Sequence, residues 1–346
     1  METVEHLIVG AGPAGLRAAQ ALAEAGREVL VVEKREEIGP KTCAGGLTPK
    51  AVSELERLGL PAEAGLHSVG HVAFAGGRPV VLDRESAAIR TLPRRELGRH
   101  QLRWARAAGA EVRAACTVTE LDLPGHTVRA GDRRIRWSHL IGADGSDSAV
   151  RRALGLRSPR AYFAAEYNVP GVRAEPLRVE CDPRRLANGY FWAFPHCDYT
   201  SIGAVAPKRL VRPAVLRRYL DQRIAALDIR HAGVRFEGAT LEVEFHGLHF
   251  PGGVHLAGDA AGVPSSLTAE GIYAALVTGE EVARSILDPS FQGSKTASWL
   301  RVKRRHDRLA RLLDFGPARA VTFPALAAIA WYRPARQPMA DWFLSR

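Results

Sequence analysis

Residues 10–15 read "GAGPAG", and the fold follows from what flanks them. Residues 5–10, "EHLIVG", read as a buried parallel strand that runs into glycine. Residues 13–26 read as a helix, with "LRAAQALAEAG" at helical spacing and Gly26 as its stop. Residues 28–33, "EVLVVE", read as a second strand ending in an acid. Gly10, Gly12 and Gly15 then form a G-x-G-x-x-G placed between strand and helix. Gly10 permits the tight turn, Gly12 lets backbone approach a pyrophosphate, and Gly15 lets helix and strand pack closely. The free N–H groups and dipole of the helix N-terminus, at Pro13 and Ala14, favour the anion. Glu33, about 20 residues downstream, suits ribose hydroxyls, and Lys34 follows it.

Working outward, residues 49–58 read as helix, 71–83 as strands, 92–108 as helix and 110–115 as strand. Residues 118–137 look like a hairpin-rich insert, and "HLIGADG" is another buried strand meeting a glycine turn. From 161 to about 250 the pattern is β, with one helix near 213–227. Residues 254–262, "VHLAGDAAG", restore the strand-to-glycine pattern, and helices are expected over 269–287 and 297–315. The expected fold class is α/β (α+β overall): a Rossmann-like dinucleotide-binding domain with a β-sheet-rich substrate domain inserted, then C-terminal helices. The expected boundaries are 1–70, 92–160 and 250–290 for the discontinuous binding domain, 71–91 and 161–249 for the substrate domain, and 291–346 for the helical region. A chain of 346 residues suits about two domains.

Hydrophobic residues make up 46% and charged residues 25%, which suits a soluble globular protein. Cys43, Cys116, Cys181 and Cys197 are scattered without a C-x-x-C, and no signal-peptide pattern is present. That points to a reducing, cytoplasmic setting. No metal site is expected, because His246 and His249 face opposite sides of a strand-like stretch. The net charge of +11 comes almost entirely from arginines spread along the chain, so no nucleic-acid partner is expected. No apolar run reaches the roughly 18–20 residues of a membrane span; residues 321–331 are too few and contain Pro324.

Two further segments narrow the dinucleotide. An acid at the C-terminal end of a strand, followed by small residues, can accept hydrogen bonds from hydroxyls without crowding a cofactor. Residues 142–155, "GADGSDSAVRRALG", and 255–262, "HLAGDAAG", both have this form, through Asp144 and through Gly258 and Asp259. With "GAGPAG", they resemble the FAD-binding group that includes para-hydroxybenzoate hydroxylase and geranylgeranyl reductase. The resemblance implies FAD as cofactor, with Asp259 on the ribityl hydroxyls and Asp144 near the pyrophosphate. Arg94, in "LPRREL", matches the group's arginine near the flavin, although Arg95 stands beside it. The helix opening at Gly271 and Ile272 would point its N-terminus at the flavin pyrimidine edge, where charge gathers on reduction. Glu270, just before it, also reads as an ordinary first-turn acid.

Residues 189–205, "GYFWAFPHCDYTSIGAV", resemble the Y-x-W-x-F-P signature of geranylgeranyl reductases through Tyr190, Trp192, Phe194 and Pro195. Residues 41–46, "KTCAGG", resemble that family's cysteine-glycine motif, with Ala44 in place of a glycine, and in "SLTAEGIYAAL" Ala269 replaces another. Alternating Tyr190, Trp192 and Phe194 share one strand face and make an apolar wall for a hydrocarbon. Cys43 and Ala44 are expected beside the flavin, with Gly45 and Gly46 allowing close approach to the ring. Cys43, Tyr190 and Trp192 are the expected catalytic residues, and Tyr190, Trp192, Phe194, Pro195, Gly45 and Gly46 the expected substrate residues.

The resemblance implies a reductase that saturates carbon–carbon double bonds of an isoprenoid chain on a lipid, quinone or pigment precursor by hydride transfer from reduced flavin. NAD(P)H or a reduced ferredoxin-like donor would supply electrons. Two alternatives stay open: a class A monooxygenase using NAD(P)H and oxygen, and a non-catalytic flavin- or lipid-binding protein. The proton donor stays open among Tyr190, Cys43 and water. The tail over 323–346 mixes aromatics with arginines and suits peripheral contact with the membrane's cytoplasmic face. The sequence leaves the oligomeric state undefined.

Overall fold

The computed structural model describes residues 1–68, 70–74, 80–81, 89–172 and 176–343. Of the strands expected over 71–83, residues 75–79 and 82–83 lie outside the described residues. The fold class is as expected.

The strand Glu2–Val9 lies at the centre of a parallel sheet. Arg133–Gly142 pairs with it on one side and Val29–Val32 on the other. Val254–Leu256 and Glu111–Arg113 extend the sheet outward in the same direction. The strand Val29–Val32 is buried along its whole length, since helices cover both faces of such a sheet. The helix Pro13–Glu24 packs between Ile272–Leu287 and Arg94–Ala107. The turn from the first strand into this helix requires a glycine at 15: a Cβ there would stand 2.0 Å from the Gly10 carbonyl oxygen. The hairpin-rich stretch holds Val118–Asp122 and Thr127–Ala130, and its last strand continues into the sheet as Arg133–Gly142.

A second sheet has seven strands, in the order Phe236–Glu242, Ala161–Pro170, Tyr199–Pro207, Tyr190–Pro195, Leu177–Cys181, Gly70–Phe74 and Val80–Val81. All pairs are antiparallel except Leu177–Cys181 with Gly70–Phe74. The period of two along Tyr190–Pro195 divides its side chains. Phe191 and Ala193 join the core with Leu216 and Leu220 of the helix Pro213–Ala226. Trp192 and Phe194 join Tyr162 and Val205 on the opposite face.

The helix expected over 269–287 begins only at Ile272. The Ser265 hydroxyl oxygen accepts hydrogen bonds from the Leu267 and Thr268 N–H groups and holds the preceding residues in a loop. Ala269 has φ +54°, a left-handed conformation that glycine adopts without strain. The C-terminal region forms three helices, Ser294–Asp314, Gly316–Trp331 and Arg333–Phe343. Buried Lys303 anchors the first, donating to the Val243 carbonyl at 2.6 Å and the Pro264 carbonyl at 2.9 Å, with Asp307 3.0 Å away. Among the described residues no single helix is long and apolar enough to cross a membrane; Ser294–Asp314 and Gly316–Trp331 pass together but are bent by 119°.

Candidate active site

The glycine turn leaves its helix N-terminus open. Gly12 is the N-cap and supplies no side-chain cap, and a Cβ placed on it would meet nothing within 4 Å. Glu33 secures the turn: its carboxylate accepts from the Ala11 N–H at 2.8 Å and the Arg35 N–H at 3.0 Å. Lys34 is exposed beside it. Asp144 is engaged elsewhere, accepting from the Ser148 hydroxyl and from the N–H groups of Ala149 at 2.6 Å and Val150 at 3.3 Å. It therefore caps the short helix Ala149–Ala153. Burial pushes its carboxyl above the usual range, against the pull of those hydrogen bonds.

Asp259 follows the strand Val254–Leu256 and accepts from Lys41 Nζ at 2.6 Å and Ser146 Oγ at 3.2 Å. Burial alone would raise its pKa, but Lys41, Arg94 and Ser146 together hold the carboxyl below the usual range. The two neighbouring arginines separate cleanly. Arg95 pairs with Glu37 at 2.7 Å on the surface. Arg94 faces the Asp259 cavity, with a buried Nε that has no hydrogen-bond partner among the described residues. An open helix N-terminus, an unpaired guanidinium nitrogen and a buried carboxylate lining one cavity fit the phosphates and hydroxyls of a dinucleotide.

A cavity of about 340 Å³ runs from Pro13, Arg94 and Asp259 to the second sheet. Cys43, Ala44, Gly46, Gly271 and Ile272 line its near end, and Tyr190, Trp192 and Phe194 line one wall. Leu313, Phe323, Leu326, Met339 and Phe343 of the C-terminal helices also line it, a contribution with no sequence motif. Two expected substrate residues face elsewhere. A Cβ on Gly45 would meet the Leu92 carbonyl oxygen and the His196 ring, each at 2.7 Å, so this glycine accommodates protein rather than ligand. Pro195 is outside the lining, and its carbonyl accepts from Thr91 Oγ1 at 2.5 Å. Gly46 does line the cavity, but a Cβ there would stand 2.5 Å from the Phe194 ring, so its missing side chain also makes room for that wall.

Buried hydrogen bonds fix the aromatic wall. Trp192 Nε1 donates to Ser201 Oγ at 2.9 Å, Ser201 donates to Glu166 at 2.8 Å, and the other Glu166 oxygen accepts from the Cys43 N–H at 2.8 Å. One carboxyl thus links the cysteine loop to the aromatic strand. Burial pushes Glu166 up to about 7, despite the hydrogen bonds from Ser201 and Cys43. Tyr190 donates to the Thr268 carbonyl at 2.8 Å, and burial raises its pKa. His196, stacked on Tyr199 at 4.4 Å between ring centroids, has Nε2 3.0 Å from the Ala44 carbonyl oxygen. Lys41 and Ser201 lie within the stretches 41–46 and 189–205 but carry no role in the sequence reading, and Glu166 is a single polar residue outside any motif.

The FAD binding domain family matches residues 3–232. Digeranylgeranylglycerophospholipid reductase 1 of Methanopyrus kandleri is 30% identical over 329 residues, covering 87% of this chain and 84% of that protein. Menaquinone reductase of Mycobacterium tuberculosis is 29% identical, covering 91% and 85%. A solved geranylgeranyl bacteriochlorophyll reductase-like protein of Thermoplasma acidophilum shares the fold with a TM-score of 0.72 at 23% identity, covering 99% of this chain and 100% of that one. The chain belongs to the FAD-binding domain family and, within it, to the geranylgeranyl reductase family of FAD-dependent oxidoreductases.

Proposed function

We propose that the protein saturates carbon–carbon double bonds of an isoprenoid chain, geranylgeranyl or longer, carried on a lipid, quinone or pigment precursor. The observation that carries this reading is the continuous apolar lining from Cys43, past Trp192 and Phe194, to Phe323 and Leu326. An isolated alkene offers no charge to grip, so burial in an apolar channel must hold it. The named reductase relatives support the same reading.

The 10–15 loop, Glu33, Arg94, Asp259 and the helix N-terminus at Gly271 and Ile272 would hold FAD, which would supply the hydride. The remaining work falls to the chain's own residues. Trp192, fixed by Ser201, and Tyr190, fixed by Thr268, hold one wall rigid against the hydrocarbon. Cys43 is held at the cavity by Glu166, which accepts from its N–H. The apolar far wall excludes water from the alkene. NAD(P)H or a reduced ferredoxin-like protein is the proposed electron source.

Peripheral contact with the cytoplasmic face of a membrane belongs to the same proposal. Val321, Ile329 and Trp331 are exposed on the helix that also supplies Phe323 and Leu326 to the cavity. Exposed Arg304, Arg305 and Arg308 on the preceding helix suit an anionic leaflet. The test is anaerobic incubation of dithionite-reduced protein with a panel of polyprenyl lipids and menaquinones, read by mass spectrometry. Gain of two hydrogens per bond is expected; an unchanged panel overturns the proposal.

A further inference from the structure

Saturating an alkene needs a proton as well as a hydride, and few groups in the cavity can hold one ready. Tyr190 lines the wall, but its hydroxyl hydrogen is committed to the Thr268 carbonyl and burial makes it a weaker acid than usual. Glu166 lies behind the lining, with one oxygen bound to Ser201 and the other to the Cys43 N–H. Glu270 is placed differently. It lines the cavity one residue before Gly271, the N-cap of the helix Ile272–Leu287. Thr48 Oγ1 donates to Glu270 Oε1 at 2.5 Å. Oε2 is buried with no hydrogen-bond partner among the described residues. With Thr48 donating to Oε1, Oε2 is the oxygen left to carry the proton of the neutral form.

We propose that Glu270 is the proton donor of the reduction, delivering the proton on Oε2 to one alkene carbon while the hydride adds to the other. The inference rests on the functional reading above. The alkene loses its π bond and gains two C–H bonds, one formed with the electron pair of a hydride from the reduced flavin and one with the Glu270 proton. The Oε2–H bond breaks, Glu270 is left as carboxylate, and water returns its proton before the next turnover.

The surroundings leave the acid partly protonated at neutral pH. Burial pushes Glu270 up to about 7, against the Thr48 hydrogen bond and the Lys50 charge, which pull it down. The other titratable groups that feel its charge are Tyr190, whose hydroxyl meets the Thr268 carbonyl, and Tyr273 on the helix that follows. Both phenols are raised by burial and stay neutral in this range. A donor whose pKa lies near the working pH combines the correct protonation state with an adequate driving force for transfer.

Glu270→Gln keeps the shape and the Thr48 contact but removes the acid, and the first readout needs no turnover. An infrared difference spectrum of FAD-loaded wild type minus E270Q, followed from pH 5 to pH 9, should show the carbonyl stretch of a protonated carboxyl that fades with a midpoint near 7. In anaerobic single turnovers with geranylgeraniol, E270Q should lose about 10²–10⁴-fold in alkene reduction. FAD content and dithionite reduction of the flavin should stay as in wild type. Wild-type rates should fall above the same midpoint, E270Q should show no such break, and Glu270→Asp should restore part of the rate. Absence of the carboxyl band, or an E270Q rate within twofold of wild type with the same pH profile, overturns the proposal. If the wild type itself leaves every polyprenyl chain tested unreduced, the functional reading falls and takes the proposal with it. If the wild type turns over and E270Q keeps pace, the proposal alone falls.

Discussion

Tyr190 donates its phenolic hydrogen to the Thr268 carbonyl across 2.8 Å, tying the aromatic strand of the second sheet to the loop that leads into the helix Ile272–Leu287. The two walls of the cavity are thereby held in register. Tyr190→Phe removes the tie and leaves a carbonyl without its donor. The expected loss is about 1 kcal/mol of stability in urea unfolding, with a raised KM for the isoprenoid chain and unchanged FAD content. Unfolding at the wild-type midpoint would show that the bond does not couple the walls.

Gly12 and Gly15 should fail in different ways. A Cβ on Gly15 collides with the Gly10 carbonyl at 2.0 Å, whereas one on Gly12 meets nothing within 4 Å. Gly15→Ala should cost at least the roughly 1–3 kcal/mol of an overpacked core. Gly12→Ala should leave the flavin-free protein as stable as wild type and lower its FAD affinity, because the methyl fills space in front of the helix N-terminus. Thermal melts of the flavin-free proteins, paired with FAD titrations, check both. Equal FAD affinity in Gly12→Ala and wild type would remove the pyrophosphate from this turn.

Glu166 should make stability depend on pH with a definite sign. Its folded pKa near 7 lies above its ordinary 4.5, so the folded state holds the proton more tightly. The associated stability is full below about pH 4.5 and is lost as pH rises through 7. Glu166→Gln should therefore gain on wild type between pH 5 and pH 8, on the order of 1–3 kcal/mol. Reading this difference cancels the opposite trend of buried His255, which burial and its histidine neighbours hold down near 3. Urea unfolding across that range measures it; a difference that does not change with pH would mean Glu166 is ionised in the folded protein.

The far wall should set chain length. Phe323 and Leu326 bring the C-terminal helix Gly316–Trp331 into the cavity lining. Phe323→Trp should depress kcat/KM about tenfold for geranylgeraniol and leave geraniol within twofold, since one lost turn of hydrocarbon contact is worth about 1–3 kcal/mol. Equal losses on both alcohols would place the chain elsewhere.

Much of the flavin half was legible because its residues recur at fixed spacings between a strand and a helix, as Gly10, Gly12, Gly15 and Glu33 do. The Tyr190–Phe194 alternation likewise exposed one face of a strand. Asp144 was legible as an acid at a strand end, but not as a helix cap, since capping depends on the turn that Ser148 completes. Glu166 and Ser201 lie on separate strands and gain meaning only from the pairing that brings them together. Phe323, Leu326, Met339 and Phe343 sit at spacings that suit any apolar helix face, so the sequence could not show that they wall the cavity.

In the proposed reaction this cavity presents an isoprenoid alkene to reduced flavin. The most direct test is the flavin absorbance of dithionite-reduced protein, with excess reductant removed, after anaerobic addition of a polyprenyl lipid or of the same lipid fully saturated. The polyprenyl lipid is expected to restore the oxidised spectrum without oxygen, and the saturated lipid is not. A spectrum that recovers only when oxygen is admitted, whichever lipid is present, would contradict it.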